Sequence, residues 1–236
     1  MRYRILIDKR LNALGEAERL FGYSSVAAYV QRCNLIAALI TELLQVNFQN
    51  SLLEEVLRRE TRALQHQFEL MTPRKNYNNP ALFNMRIKDG FPCYTSIQIQ
   101  LGDQEDLEAD FLQEKIIELD RQSFGKLLSF KFYLYCIDPK GIPFVFLDPL
   151  STEEFLNGCY RDGRPVTHGH LSAKKRREVR CAGHLMRITA PFISSEGLLV
   201  TRASGHFRPG PESRRSIFIM AKEKIGISNL KAVIVT

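Results

Sequence analysis

The apolar residues of this chain change their spacing near residue 80, and that change restricts the folds open to it. Between residues 12 and 68 they recur every three or four positions, as on the buried faces of helices. Beyond residue 81, the stretch 94–101 alternates between apolar and polar residues, as in a half-buried strand. The pattern predicts an α+β protein, in which a helical N-terminal third precedes a mostly antiparallel β domain with a few helices.

Residues 72–81, which are rich in proline and asparagine, are the expected boundary between two parts of the chain. We expect a helical region over residues 1–75 and a mixed α+β domain over residues 82–236. In the second part, two apolar runs flank the turn Asp138–Gly141, so residues 129–148 predict a β-hairpin.

Local spacing, capping residues and helix breakers predict the other elements. Expected strands cover residues 2–8, 179–188, 198–203 and 230–235. Expected helices cover residues 12–21, 24–46, a segment from 51, about 105–128, 151–158 and 213–225. Ser51 and Glu54 predict a capping box for the third helix, and the charged residues along that helix, Glu60 among them, predict a solvated face.

The formal net charge of +7 indicates an acidic partner, such as a nucleotide phosphate, nucleic acid, an anionic membrane surface or an acidic protein. Basic residues concentrate at 174–177 and at 214–215. Nucleic-acid binding ranks last, because no reading helix and no aromatic interleaving accompany the charge. No apolar run of about 18 residues is present, so we expect no membrane span.

The five cysteines are widely spaced and odd in number, and none forms a CxxC pair. Free, mostly buried thiols in a reducing compartment, the cytoplasm, fit this usage. The first residues lack the apolar stretch and cleavage site of a signal peptide. Secretion into a host cell by a route that needs no signal peptide stays open.

Four of the five histidines lie between residues 168 and 206. The most specific stretch there is SGHFRP at 204–209, followed by Glu212. Its glycine and proline pre-shape the turn that carries His206, and Arg208 suits a phosphate or carboxylate. The histidine either acts chemically or hydrogen-bonds its own loop, and both interpretations stay open.

A second cluster contains His168, His170 and Ser172. Two histidines spaced by two on a strand share one face, a spacing that some metal sites use. No acidic third ligand stands close in sequence, so we expect no metal site; a hydrogen-bonded pair, or one functional and one structural histidine, is the alternative. Cys181 as a nucleophile beside a histidine is a further alternative, although its flanks suggest a strand interior.

Together the two clusters resemble a domain of plant calmodulin-binding IQ-motif proteins and of secreted bacterial effector-like proteins. Its pattern reads H-S-S, V-x-x-A-G and S-G-H-Y-R-P, followed by an acidic residue, a helix and a final strand. The matching residues here are His170, Ser172, Val179, Ala182, Gly183, the SGHFRP stretch and Glu212. The match covers residues 165–236, with Leu171 in place of a serine and Phe207 in place of the tyrosine.

The serine, the histidine and the following glutamate also resemble the Ser and HxxxE pair of bacterial effectors that transfer AMP from ATP to host proteins. Here Glu212 follows His206 by six residues rather than four. The resemblance implies catalytic roles for His206, Glu212, Ser172 and His170, and phosphate binding by Arg208, Ser204, Gly205 and Lys174. It implies ATP or another nucleotide with Mg²⁺, and a protein as partner or substrate.

Two functions therefore follow as hypotheses. The first is a bacterial effector-like enzyme that transfers a nucleotidyl (AMP) group from a nucleotide to a partner protein. The second is a non-catalytic protein-binding or ligand-sensing module, in which the helical part recruits a partner and the SGHFRP turn belongs to a structural core.

Overall fold

Three consecutive helices form the N-terminal part of the chain: Arg2–Phe21 (α1), Val26–Gln45 (α2) and Ser51–Met71 (α3). The structure, a computed structural model, describes residues 2–71, 85–95, 114–157, 159–161, 164–168, 171, 178–204, 207 and 209–236. None of the helices in those ranges is long and apolar enough to cross a membrane. The predicted boundary at 72–81 lies outside the described residues.

The strand predicted at residues 2–8 is wrong, because these residues form the first turns of α1. Ile7, Leu14 and Ala17 all pack against the larger hydrophobic core. Their spacing of seven and three residues places them on one helix face. This longer face outweighs the short alternation of apolar residues at the start of the chain.

Helix α2 is buried along most of its length. The Ser25 hydroxyl caps its N-terminus by accepting a hydrogen bond from the Ala28 backbone N–H at 3.1 Å. The helix contacts α1 and α3, and it also packs against the central sheet described below. Apolar residues such as Leu39 and Ile40 are fully buried. The core helix predicted over residues 24–46 is confirmed.

Helix α3 begins at Ser51 as predicted, but its N-terminal cap is Asn50. The Asn50 side chain accepts a hydrogen bond from the Leu53 N–H at 3.1 Å, and its carbonyl accepts one from the Glu54 N–H at 3.0 Å. The predicted capping box is therefore wrong by one residue, because asparagine caps helices as well as serine does.

The solvated face predicted along α3 contains one residue, Glu60, that is buried. Its carboxylate accepts a hydrogen bond from Arg32 of α2 at 2.5 Å. Arg32 also donates to Gln67 of α3 at 3.1 Å and to Glu18 of α1. One buried guanidinium thus joins all three helices.

The described residues contain eleven strands. Their bounds are Met85–Lys88 (β1), Phe91–Thr95 (β2), Ile116–Glu118 (β3), Phe132–Ile137 (β4), Pro143–Phe146 (β5), Cys159–Arg161 (β6), Arg164–Val166 (β7), Glu178–Val179 (β8), Cys181–Thr189 (β9), Glu196–Val200 (β10) and Val233–Val235 (β11). Six form a central sheet in the order β11-β10-β9-β4-β5-β3, antiparallel except for the pair β10 and β11. A small sheet, β1-β2-β8, and the hairpin β6-β7 are antiparallel. The predicted α+β class is confirmed.

The hairpin predicted over residues 129–148 is also confirmed, as β4 and β5. The Asp138 carboxylate accepts hydrogen bonds from the backbone N–H groups of Lys140 and Ile142, at 2.9 and 2.8 Å. Gly141 takes a positive φ of 85° in the same turn. Of the strand predicted at 94–101, only the first two residues are described, and they end β2.

The helix predicted from about 105 to 128 is contradicted in its second half. Ile116–Glu118 form β3, which pairs with β5, and only Arg121–Lys126 are helical (α4). Two adjacent β-branched isoleucines suit a strand, and pairing with the edge of β5 outweighs their helical spacing. Residues 105–113 lie outside the described residues.

The later helices agree with the predictions. Helix α5 covers Thr152–Asn157, and helix α6 covers Arg214–Ile219 after a 3₁₀ turn at Pro211–Ser213. A π-helical turn, Met220–Ile225, continues α6 and ends at Gly226, whose φ is 82°. The strand predicted at 230–235 is present only in its second half, as β11, because Leu230–Ala232 form a 3₁₀ turn.

Both faces of the central sheet are buried. Along β4, alternate residues from Phe132 enter the core shared with α2, and alternate residues from Tyr133 enter a second core with α4 and α6. Helices therefore cover the sheet on both sides.

We predict that Arg32→Met lowers the free energy of unfolding by about 3–5 kcal/mol, because it removes the buried partner of the Glu60 carboxylate. The matched control is Arg59→Met, which removes an exposed partner of the same carboxylate and changes stability by less than about 1 kcal/mol. Urea denaturation measures both. Equal losses in the two variants would contradict the central role of Arg32.

Candidate functional site

The structure describes two of the eight predicted site residues, Ser204 and Glu212. The other six, His170, Ser172, Lys174, Gly205, His206 and Arg208, lie outside the described residues. Ser204 and Glu212 both lie within the segment that leads from β10 to α6. This segment, residues 201–213, is here called the β10–α6 turn.

Ser204 supports the β10–α6 turn. Its hydroxyl accepts a hydrogen bond from the Phe207 backbone N–H at 3.3 Å. Its own N–H donates to the Arg202 carbonyl at 3.0 Å. Ser204 and Phe207 are both buried, so the serine hydroxyl serves the backbone of the motif.

Glu212 is exposed, yet its carboxylate is held in one position. The Tyr94 hydroxyl donates to Oε1 of Glu212 at 2.5 Å and accepts from the Gly210 N–H at 3.0 Å. Burial, followed by the hydrogen bond to Glu212, raises the pKa of Tyr94. A Cβ on Gly210 would lie 2.3 Å from Oε1. A side chain at residue 210 would therefore displace the Glu212 carboxylate from this position.

Two arginines meet beside the β10–α6 turn. Arg202 is buried, and its guanidinium donates to the carbonyls of Thr236 at 2.9 Å and Pro209 at 3.4 Å. Burial, and then the positive charge of Arg202, lowers the pKa of Arg214. The Arg214 Nε atom is buried and has no hydrogen-bond partner among the described residues. The negative charge of Glu69 acts on the pKa of Arg214 in the opposite direction. An anion at this pair would therefore bind beside one carboxylate, with the Arg214 Nε as an unused donor.

The sequence indicated Arg214 as part of a basic flank but not Arg202. Arg202 follows a run of buried residues, and its charge is recognisable as a site feature only when β11 and α6 are placed beside it. No sequence signal separated it from the other arginines.

A pair of histidines lies behind the same turn. His168 Nε2 donates to the Gly183 carbonyl at 2.8 Å, and the rings of His168 and His184 are 5.6 Å apart in an edge-to-face arrangement. The Thr201 hydroxyl accepts from the His184 backbone N–H at 3.0 Å and lies 3.2 Å from His184 Nδ1. Its proton is therefore free to be donated to Nδ1.

Burial, and to a lesser degree the charge of His168, lowers the pKa of His184 well below its ordinary value of 6.5. The imidazole is therefore neutral at pH 7 and accepts at Nδ1. A Cβ on Gly183 would lie 2.1 Å from the Thr201 carbonyl oxygen. The glycine lets the segments around residues 183 and 201 approach closely enough for His184 and Thr201 to form a hydrogen bond.

Cys181 does not suit nucleophilic catalysis. It is fully buried, and its sulfur lies 3.1 Å from the Tyr135 hydroxyl. Burial raises the pKa of its thiol, and a protonated thiol is a poor nucleophile. All five cysteines are buried and none forms a disulfide, in agreement with the prediction. Within the described ranges, no group of three histidine, cysteine or acidic side chains is placed to hold a metal ion.

Comparisons with known proteins add no assignment: no family model matches the chain, and neither the curated proteins nor the solved structures gave a match. A functional proposal therefore depends on the side chains of the β10–α6 turn and their neighbours.

We predict that His184 makes the protein less stable in acid. The unfolded chain binds a proton near pH 6.5 that the folded chain excludes, so the free energy of unfolding falls as pH decreases below about 6.5, by up to about 1.4 kcal/mol per pH unit. Above about pH 6.5, His184 does not change the free energy of unfolding as the pH rises. In urea denaturation at pH 7.5 and 5.5, His184→Gln should lose less stability than the wild type.

His66 provides the control for this experiment, because it is an exposed histidine of α3. The His66→Gln variant shows what the loss of one surface imidazole does by itself, and the effect of His184→Gln is measured against it. A wild-type pH dependence in the His184 variant would contradict a neutral, buried imidazole.

Proposed function

We propose that the β10–α6 turn binds the phosphates of a nucleotide, and that the protein transfers a nucleotidyl (AMP) group to a partner protein. The observation that supports this proposal is the adjacent pair Arg202 and Arg214. Arg202 is fixed by two backbone carbonyls, and Arg214 keeps a buried N–H donor without a partner among the described residues. Arginine is well suited to phosphate because its planar fork carries several donors.

In this reaction a hydroxyl of the partner protein attacks the α-phosphorus of ATP. A new P–O bond forms, the bond to pyrophosphate breaks, and pyrophosphate leaves. The proton of the hydroxyl passes to His206 as the base, with Glu212 orienting the imidazole. Tyr94 occupies Oε1 of Glu212, so Oε2 is the oxygen left for the histidine. In this proposal His170 and Ser172 also have catalytic roles.

Ser204, Gly205, Arg208 and Lys174 complete the proposed phosphate site. Mg²⁺ would be carried by the phosphates, because it needs only one or two protein carboxylates when a nucleotide supplies other oxygens. It would neutralise charge on those phosphates.

We predict that Arg214→Gln weakens the binding of MgATP about tenfold or more, because a charge-assisted hydrogen bond to phosphate is lost. Isothermal titration calorimetry measures the dissociation constant. The matched control is Arg215→Gln, which removes the same charge one residue along, from an exposed arginine that stacks on Phe91. Absence of ATP binding in the wild type, or equal weakening in both variants, would refute the nucleotide site.

The same preparations separate binding from transfer. With ATP labelled at the α-phosphate and an extract of candidate host cells, the wild type should label protein. His206→Ala should bind MgATP normally and label none. Normal labelling by this variant would reject His206 as the base.

The second candidate, a non-catalytic binding module, is favoured by a different observation. Ser204 and Glu212, both predicted as site residues, bond to the backbone and the tyrosine that shape their own turn. In that case the SGHFRP motif only stabilises its own turn, and the partner binds elsewhere.

The variants Tyr94→Phe and Glu212→Gln distinguish these candidates. Both variants weaken the hydrogen bond between the two side chains. If the motif only stabilises its turn, the free energy of unfolding falls by a similar amount in both, about 1–3 kcal/mol, and the wild type has no labelling activity. The transferase proposal predicts that labelling falls in Glu212→Gln and persists in Tyr94→Phe, which keeps the carboxylate. Thermal denaturation and the labelling assay together decide between them.

A further inference from the structure

A cavity of about 400 Å³ lies between α3 and the C-terminal segment of the chain. It is here called the α3 groove. Its floor is formed by Phe48, Leu57 and Ile234, and its rim by Arg58, Arg62 and Lys231. The volume lies in the range of small-molecule sites. None of these residues belongs to the β10–α6 turn.

The floor of the α3 groove is apolar and fixed. Phe48 and Leu57 are almost fully buried. Phe48 has a φ of 54°, and its N–H donates to the Leu43 carbonyl at 2.7 Å. A left-handed backbone is unfavourable for a phenylalanine by about 1–2 kcal/mol. The chain reversal after α2 therefore holds the ring against the groove at a cost in backbone energy.

One end of the α3 groove is closed. The Lys231 ammonium lies 3.2 Å from the Glu54 carboxylate, and this ion pair joins the two walls. From Glu54 to Arg62 the helix rises about 12 Å, so the groove is short as well as closed at one end. A small molecule fits this shape better than an extended peptide that would have to continue through it.

The rim is cationic and has unused donors. Arg58 and Arg62 are exposed, and within the described ranges neither forms an ion pair with a carboxylate. Arg58 Nε contacts only the Glu54 carbonyl of its own helix, at 3.3 Å. Two guanidinium groups beside an apolar floor are complementary to a ligand with an apolar body and an anionic end.

We propose that the α3 groove binds a small amphipathic anion, with its apolar body on Phe48, Leu57 and Ile234 and its carboxylate or sulfonate at Arg58 and Arg62. This site is independent of the nucleotide site proposed above. The apolar floor accepts apolar groups of many shapes, whereas the two arginines select for a ligand with a negative group.

Two fluorescent dyes with the same aromatic body test the proposal. 1-Anilinonaphthalene-8-sulfonate carries the anion, and N-phenyl-1-naphthylamine lacks it. The folded wild type should bind one sulfonate dye per chain, at least about fivefold more tightly than the neutral dye. The double variant Arg58→Gln/Arg62→Gln should weaken the sulfonate dye about tenfold and leave the neutral dye unchanged.

Two further variants make the test specific. Arg59→Gln changes the charge of α3 equally but lies outside the α3 groove, and it should bind both dyes as the wild type does. Thr61→Phe fills the groove and should block both dyes. Circular dichroism and thermal denaturation verify that each variant is folded.

Three outcomes would overturn the proposal. The first is equal affinity of the wild type for the two dyes. The second is equal weakening by Arg59→Gln and by the double variant, which would indicate a general charge effect. The third is unchanged binding in folded Thr61→Phe, which would place the dyes elsewhere.

Discussion

The enclosure of α2 is the constraint on which the rest of the structure depends. A helix buried on nearly all sides needs partners on all sides, and α1, α3 and the central sheet supply them. Such a helix also has little tolerance for charge, yet it carries Arg32. The carboxylates of Glu18 and Glu60 compensate that charge, so the packing of three helices and the pairing of one guanidinium are a single requirement.

The same close packing shapes the region of the β10–α6 turn. At Gly183 the chain passes so near the Thr201 carbonyl that no side chain fits. This approach lets Thr201 hold the ring of His184, while the Gly183 carbonyl accepts from His168. Packing therefore explains the Ala182-Gly183 step of the motif, and the contact between His184 and Thr201 follows from it.

Long-range pairing decided which sequence predictions succeeded. Helices α2 and α3 and the β4–β5 hairpin were predictable, because their patterns are long or bounded by strong turn residues. Two predictions were wrong where the pattern was short or ambiguous. Residues 2–8 belong to a longer helix, and Ile116–Glu118, expected to be helical, pair with the edge of β5. Burial of Glu60 depended on a partner 28 residues away, which helical spacing alone does not reveal.

The candidate site was predictable in part, for the same reason. Ser204 and Glu212 lie in the turn that the sequence singled out, but Tyr94, which bonds to Glu212, lies 118 residues earlier in the chain. Because Tyr94 is kept protonated by burial and by Glu212 itself, it acts as a permanent donor to one carboxylate oxygen and leaves the other available. A single glutamate can thus stabilise the turn and still orient a neighbouring group, so its structural contact does not argue against a chemical role.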